Sequence, residues 1–600
     1  MLTVILIWLY VIITTYLTGY GFLTGLVNRP SMLSKKTKRR SAQYDFKYRI
    51  SYIAAGIVLV TVYAEVVSLF AKVGLGANLV LVLICILIAV YYREDLYSDF
   101  YEILRVTRPS GNIYVYLFIF LVMAYGSSHG IMHYDSDLYH AQAIHWLEDY
   151  GIIKGLGNLH VRLAYNSAAF PLTALYSMSF IGKQSFHVMS GFFALLLAWQ
   201  CADLKNVVRR GHIVISDFAR LVAVYYLFTI YDEMVAPASD YFLSTIVFFL
   251  IIRWLDMFVR HEKSYVPYIL LALLGVFAVT IKLSAAPVVL LSIIPVYRLF
   301  RRRTGEKMRA FGAAVLMALL IVLPFLIRNV VISGWLVYPA TFLDIFGFAW
   351  KIPKGLAAYD ALEIKTFGRG FNDVATYGNM SYSEWVPVWF GQITGINRGL
   401  IILDFVSVAV YLLYLLYFVL GLAGDKKDRN KRGASSKVFN IKDRSALRTA
   451  DFLTVGGTLV CCLIFWFFSA PLVRYGIVYI LLTPAVILGR LLVLGSKSID
   501  DRTREKIVKA FAAIIAVWLL YKGANLIAED IPRFNGRYLL GQQDYGTYEV
   551  REFKLGNETV YYPADGDQVG YYPFPAATHD LTGEVELMGD GIRGGFKSMR

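Results

Sequence analysis

Residues 133–151 read HYDSDLYHAQAIHWLEDYG and crowd two aspartates, three histidines and an acidic pair directly behind an apolar stretch. Asp135 sits between Tyr134 and a downstream histidine, where a carboxylate can accept a proton from a hydroxyl. Partial desolvation there raises its pKa, which suits a general base. His140 follows five residues later, near enough to orient it. Asp135, Asp137 and His140 also offer donor types for a divalent cation, although no third distant ligand is evident. Two plainer readings stand beside these. The stretch is an ordinary polar loop, or Asp135 or Asp137 caps the helix that follows. Read as a helix from about Asp137, the segment is amphipathic, with Gly151 as its terminator.

Whatever positions this loop is greasy. Of 600 residues 57% are apolar and only 17% charged, and the apolar residues fall into runs of membrane-spanning length. Spanning structures other than closed barrels must be helical, so the fold class is an all-α integral membrane protein. About fourteen spans are expected, at 2–26, 50–71, 77–93, 113–129, 186–203, 217–232, 240–256, 265–281, 285–300, 311–330, 398–421, 451–469, 476–495 and 506–522. The first run has no basic segment before it and no small-residue cleavage site, and reads as a retained span. Cys85, Cys201, Cys461 and Cys462 lie inside apolar runs and imply neither a disulfide framework nor a metal site.

The net charge of +16 is a topology signal. Basic residues cluster in SKKTKRR (34–40), KNVVRR (205–210), RRRTGEKMR (301–309), DKKDRNKR (425–432) and DRTREK (501–506), and one orientation places all five on the cytoplasmic side. No nucleic-acid partner is expected. Counting the apolar stretch 167–182 as a span would invert that pattern, so it reads as a helix in the outer interface or dipping part-way in. The outer face then carries the segments 130–185 and 331–397 and a tail from 523, whose alternating aromatic and polar residues suit a small β or α/β cap. Short basic loops without a nucleotide motif occupy the inner face, which disfavours an ATP-driven transporter. The division expected is 1–112 as extra N-terminal helices, 113–522 as a core, and 523–600 as the cap.

Three cations fall at outer span ends, where arginine forks and lysine can hold a phosphate: Arg474, Arg328 and Lys282. Snorkelling or structural pairing is the alternative for each. Arg162, with His160 and Asn166 near it, is a fourth candidate on an acceptor side. The acidic corner IYDEMVAPASDY, with Asp232, Glu233 and Asp240, offers the missing metal ligand, contacts to sugar hydroxyls or helix caps. Trp385, Trp389, Trp335 and Tyr338 suit stacking on sugar faces or an interfacial aromatic belt.

The pattern Asp135-x4-His140, with Tyr139 before the histidine and Trp146 after it, resembles the first external loop of type C (GT-C fold) glycosyltransferases. RNVVISGWLVYP (328–339) is similar to a stretch ending a later span of that family. KGLGNLHVRLAYNS (154–167) and the tail GYYPFP…LMGDGIRGGF resemble a bacterial subfamily of uncharacterised multi-spanning membrane proteins. The acidic loop here follows the fourth expected span instead of the first, and three extra N-terminal spans account for that. The resemblance implies a multi-pass enzyme of the bacterial inner membrane, active on the external or periplasmic side, with membrane lipids around it. It implies a polyprenyl-phosphate sugar donor, a glycan or lipid-linked acceptor, Asp135 as catalytic base, and no cofactor beyond an optional divalent metal. Two rivals remain. One is a polysaccharide polymerase or ligase using a pyrophosphate-linked oligosaccharide, and the other is a lipid or saccharide transporter, expected to show mid-span ionisable residues and internal repeats.

Overall fold

The structure is a computed structural model that describes residues 1–27, 50–107, 112–182, 184–260, 262–301, 303–424 and 449–599. The basic segments 34–40 and 425–432 lie outside the described residues. Nineteen helices of eight or more residues are numbered α1–α19 in chain order among the described residues.

Each expected span coincides with a helix. Nine helical stretches are long and apolar enough to cross a membrane among the described residues. They include α1 (Leu2–Val27), α2 (Ile50–Phe70), α10 (Ser239–Val259), α13 (Gly305–Ser333), α16 (Gly395–Gly424), α17 (Thr449–Ser469), α18 (Val473–Gly495) and α19 (Asp501–Asp530). The ninth runs from Leu283 to Phe300, as a 3₁₀ segment containing Pro287 that continues into α12 (Ile293–Phe300). The other five expected spans fall on shorter helices of 13–17 residues: α3 (Leu75–Tyr91), α5 (Asn112–Gly126), α8 (Met189–Cys201), α9 (Ile215–Thr229) and α11 (Val266–Ile281). Helix α3 meets α4 (Arg93–Thr107) at a bend of 85°. The architecture is that of an all-α multi-pass membrane protein.

Small residues allow the closest helix crossing. A Cβ on Gly19 of α1 would stand 1.9 Å from the Tyr52 carbonyl oxygen, and one on Gly56 of α2 would stand 1.8 Å from that of Thr15. Only glycine lets the two backbones approach so closely, the usual device where lipid supplies no hydrophobic drive for packing. Helices α10 and α18 form the centre and are buried along most of their lengths, whereas α19 buries only Val508. The two central helices therefore start side by side with their first turns inside the protein.

The stretch 167–182 differs from expectation. It forms α7 (Ala169–Tyr176), all of it buried, and a separate turn at Ser179–Gly182. Helix α7 packs on α2 and on α6 (Ala141–Asp149), so its apolar residues face protein on every side and it does not lie on lipid. The tail contains two antiparallel pairs, β1 (Val550–Leu555) with β2 (Glu558–Pro563) and β3 (Val585–Leu587) with β4 (Phe596–Ser598). It folds back onto α6 and thereby covers the polar face that the sequence left open to solvent.

Candidate functional site

The segment after α5 is extended and anchored early. The Ile131 amide donates to the Asp232 carbonyl at 2.6 Å, and His129 meets Asp530 at 3.0 Å. Past Asp135 the chain turns through one wide π-turn, Ser136–His140, before α6. Such turns recur at functional sites because the extra residue re-aims side chains. Asp135 stands at the start of this turn but makes no side-chain cap, and Asp137 lies within it, so neither capping reading holds.

The turn directs its two aspartates to opposite sides. Asp137 faces the tail: its carboxylate accepts from the Gly546 amide and the Tyr548 hydroxyl, both at 3.0 Å. Its carbonyl accepts from the Val569 and Gly570 amides at 3.1 and 2.8 Å. Burial raises the Asp137 carboxyl, with these donors working against the rise. Further along, Gln142 donates to the carbonyl of Pro573 at 3.0 Å, and His145 is sandwiched between the rings of Tyr571 and Phe574 at 4.0 and 3.9 Å. Asp137 is thus the socket for the tail, not a member of the cluster around Asp135.

Asp135 faces a cluster of cations at the ends of four elements. Arg474, in the first turn of α18, donates to Asp135 at 3.0 Å and contacts His133 Nε2. Its Nε lies 3.4 Å from Asp240 in the first turn of α10, without hydrogen-bond geometry. Lys282 ends α11 in an extended conformation, pairs with Asp240, and lies 4.0 Å over the ring of Tyr475. The Asp135 amide donates to His133 Nδ1 at 3.1 Å, and the same nitrogen lies 3.7 Å from the Asp135 carboxylate.

The electrostatics correct one expectation. Burial alone would raise the Asp135 carboxyl, but the groups around it (His140, Arg474, His133 and Lys282) outweigh burial and hold it below the usual carboxylate range. Burial pushes His140 down to about 3, against the pull of Asp135, so its imidazole is neutral. With both imidazoles lowered by burial, Arg474 and Lys282 are the permanent charges that favour the ionised Asp135 carboxylate. Burial, and then the Arg474 charge, also lowers His133.

The cluster opens on a cavity of about 470 Å³. Tyr134, Asp135 and Arg474 form one wall, and Trp389, Gln392 and Asn397 contribute to the other. Around the cluster both ring nitrogens of His140, the Tyr241 hydroxyl and the Arg474 Nε are buried without a hydrogen-bond partner. A buried donor left unpaired costs about 1–3 kcal/mol, so these atoms mark a place arranged for something polar to arrive.

Of the other sequence candidates, Asp240 and Lys282 join the cluster and Arg328 does not. Arg328 is buried within α13, donates to Asn166 at 3.0 Å and to Ser68, and feels the charge of Glu65. Asn166 is committed to it and to the Phe325 carbonyl. His160 accepts the Arg162 amide at 3.1 Å as a turn cap, and burial pushes it down to about 3. Arg162 lies 3.8 Å from Glu363, beside a second buried group in which the Tyr165 hydroxyl donates to Asp360 at 2.5 Å and Tyr338 packs against Tyr165. Asp232 pairs with Arg533 at 3.1 Å. Trp385 is buried under Arg369 and is absent from the cavity wall, which its neighbour Trp389 reaches instead. Among the described residues no three His, Cys, Asp or Glu side chains converge as a metal site, and the trio Asp135, Asp137 and His140 is split by the turn.

Sequence reasoning passed over His133 and Tyr475, although each adjoins a residue it chose. The signal available was proximity alone, since a histidine or tyrosine at a span end has many ordinary uses.

Residues 1–481 match the profile of a family described as a domain of unknown function, DUF8201. No curated protein and no solved structure matches the chain. Asp135, Asp240, Lys282 and Arg474 all fall inside the matched residues, while the tail that grips Asp137 falls outside them. With most of its length covered by that match, the chain belongs to the DUF8201 family.

Proposed function

We propose that the protein is an inverting membrane glycosyltransferase that moves a sugar from a polyprenyl-phosphate carrier to a glycan or lipid-linked acceptor in envelope assembly. The observation that carries this reading is the pairing of Asp135 with Arg474 in the wall of a cavity, with Arg474 Nε unpaired and the Lys282–Asp240 pair directly behind it. An anionic donor head satisfies what the cluster lacks, because phosphate oxygens accept several guanidinium and ammonium donors at once.

The chemistry follows from charge exchange. In the free site Arg474 suppresses the basicity of Asp135. A donor phosphate that engages Arg474 and Lys282 neutralises this effect, and the Asp135 carboxylate becomes a stronger base as the substrate binds. The acceptor oxygen then gives its proton to Asp135 and attacks the anomeric carbon from the face opposite the phosphate. The bond from that carbon to the phosphate oxygen breaks, and polyprenyl phosphate leaves with the electron pair. Positioning and a poised base supply the catalysis. The divalent metal considered from sequence has no role in this scheme.

The test is thermal stability against polyprenyl monophosphate sugars and pyrophosphate-linked oligosaccharides, on wild type and Arg474→Ala. Native-state binding raises the midpoint by mass action. A monophosphate sugar that stabilises wild type and not the variant, and is transferred by wild type but not by Asp135→Asn, is the expected result. A response to pyrophosphate oligosaccharides alone replaces this reading with a polymerase or ligase.

One observation favours transport instead. Asp404 is buried inside α16 with both carboxylate oxygens unpartnered, and an ionisable group within a span commonly serves a translocation path. Lipid or saccharide flux in proteoliposomes, abolished in Asp404→Asn and intact in Asp135→Asn, would establish that alternative.

A further inference from the structure

A second cavity, of about 660 Å³, lies among α1, α2, α10, α11 and α13, at the end of the bundle opposite the site above. Its walls are apolar, with Val58, Leu59, Val62, Leu270, Leu274 and Leu320 among them. Leu320 is 54% exposed, so the groove opens sideways, where lipid lies, and is not sealed inside the protein. Its mouth is different. Ser51, Arg253, Arg260 and Glu262 gather there, near the start of α2 and the end of α10, on the side assigned to the cytoplasm by the basic segments. Arg253 donates to the Ser51 hydroxyl at 3.0 Å. Asp256 also lines the mouth and is committed to Arg220 at 2.5 Å.

The dimensions select the occupant. Along α2 the lining runs from Ser51 to Val62, and along α10 from Arg260 back to Phe249. Eleven residues of helix rise roughly 16 Å in each case. That is about half of a ~30 Å hydrocarbon core, the depth of one leaflet. An apolar slot one leaflet deep, open to the bilayer and ending in guanidinium groups, matches an acyl chain below an anionic phosphodiester.

We infer that this groove is a binding site for a phospholipid of the cytoplasmic leaflet, with its phosphodiester held by Arg253 and Arg260 and an acyl chain lying against α2, α11 and α13. The inference is independent of the glycosyltransferase reading, since it uses none of the same residues.

Native mass spectrometry of the full-length protein, extracted into polymer nanodiscs and released, tests it. A phospholipid retained on wild type is expected. Affinity for added dioleoyl phosphatidylglycerol falls by about tenfold or more in the Arg253→Ala/Arg260→Ala double variant and in Leu59→Trp, which fills the slot. No retained phospholipid on wild type, or equal affinity in all three proteins, overturns the inference. A second measurement needs no substitution: phosphatidylglycerol with a mid-chain diazirine, in vesicles of that lipid, is expected to label 58–62 and 317–321 in preference to α16 and α19. Even labelling of all lipid-facing helices overturns the proposal. So does displacement of the label by equimolar polyprenyl phosphate, which would make the isoprenoid the occupant.

Discussion

Two clusters of arginine and aspartate sit at opposite ends of the helix bundle and use the same groups differently. In the inner one Arg220, only 2% exposed, meets Asp256 at 2.5 Å, Asp217 at 3.3 Å and Asp203 at 3.6 Å, while Arg210 reaches Asp217 at 2.7 Å. The Ser216 hydroxyl takes a further guanidinium proton, and the Val214 amide satisfies a lone pair of Asp217. It is closed. In the outer cluster Arg474 is 29% exposed on its side chain, makes its ion pairs at 3.0 and 3.4 Å, keeps its Nε without a hydrogen bond and faces a cavity. A buried guanidinium with every nitrogen paired, as in Arg220, is structural, whereas one with an unfinished hydrogen bond against open volume, as in Arg474, can exchange partners.

Substitution can break that contrast. The largest effect is expected for Arg220→Ala, which strands Asp256 as a buried charge, leaves Asp217 with Arg210 alone and costs about 3–5 kcal/mol, read as lost yield and a collapsed thermal midpoint. Arg474→Ala should cost about 1 kcal/mol or less, because Asp135 reaches the cavity and Asp240 keeps Lys282, yet it should abolish stabilisation by polyprenyl-phosphate ligands. Equal destabilisation by the two variants would erase the distinction and make the outer cluster structural.

Acid sharpens the comparison next. Burial pushes His140 and His160 down to about 3. Folded pKa values below the unfolded one mean that the unfolded chain binds more protons, so stability is full above about pH 6.5 and falls as pH drops below it. Each histidine contributes about 1.4 kcal/mol per pH unit across that window. His140→Gln should flatten the slope of midpoint against pH by one histidine's share. A slope unchanged from wild type would mean that His140 already ionises in the native state. Smallest is Tyr548→Phe, which removes one donor from Asp137 and should cost about 1 kcal/mol, with faster amide exchange across 134–140. Unchanged exchange would show that the backbone contacts alone hold the turn.

Much of the outer cluster was legible because it is built from span ends. Charge alternation oriented the helices, and an aspartate, lysine or arginine at an outer end has few places to go, so Asp135, Asp240, Lys282 and Arg474 stand together. Depth along the chain does not give position around the bundle, and for that reason Arg328 was grouped with them although it points at Ser68 and Asn166. The sign of the Asp135 shift was also illegible, since burial is guessed from hydropathy while the opposing guanidinium comes from a helix more than three hundred residues away. The two roles of Asp135 and Asp137 rest on a π-turn, a one-residue irregularity that hydrophobic periodicity cannot register.

The hold of the tail on Asp137 also sets an order of assembly. The carboxylate and the Gly546 amide that it accepts from are separated by 409 positions. At ordinary elongation rates the loop is made roughly 20–80 s before its clamp exists. Through that interval the growing chain must carry an unclamped acidic turn beside its spans. The turn that carries Asp135 gains its full support only once residues 546–570 have been made, so the site is completed late in synthesis.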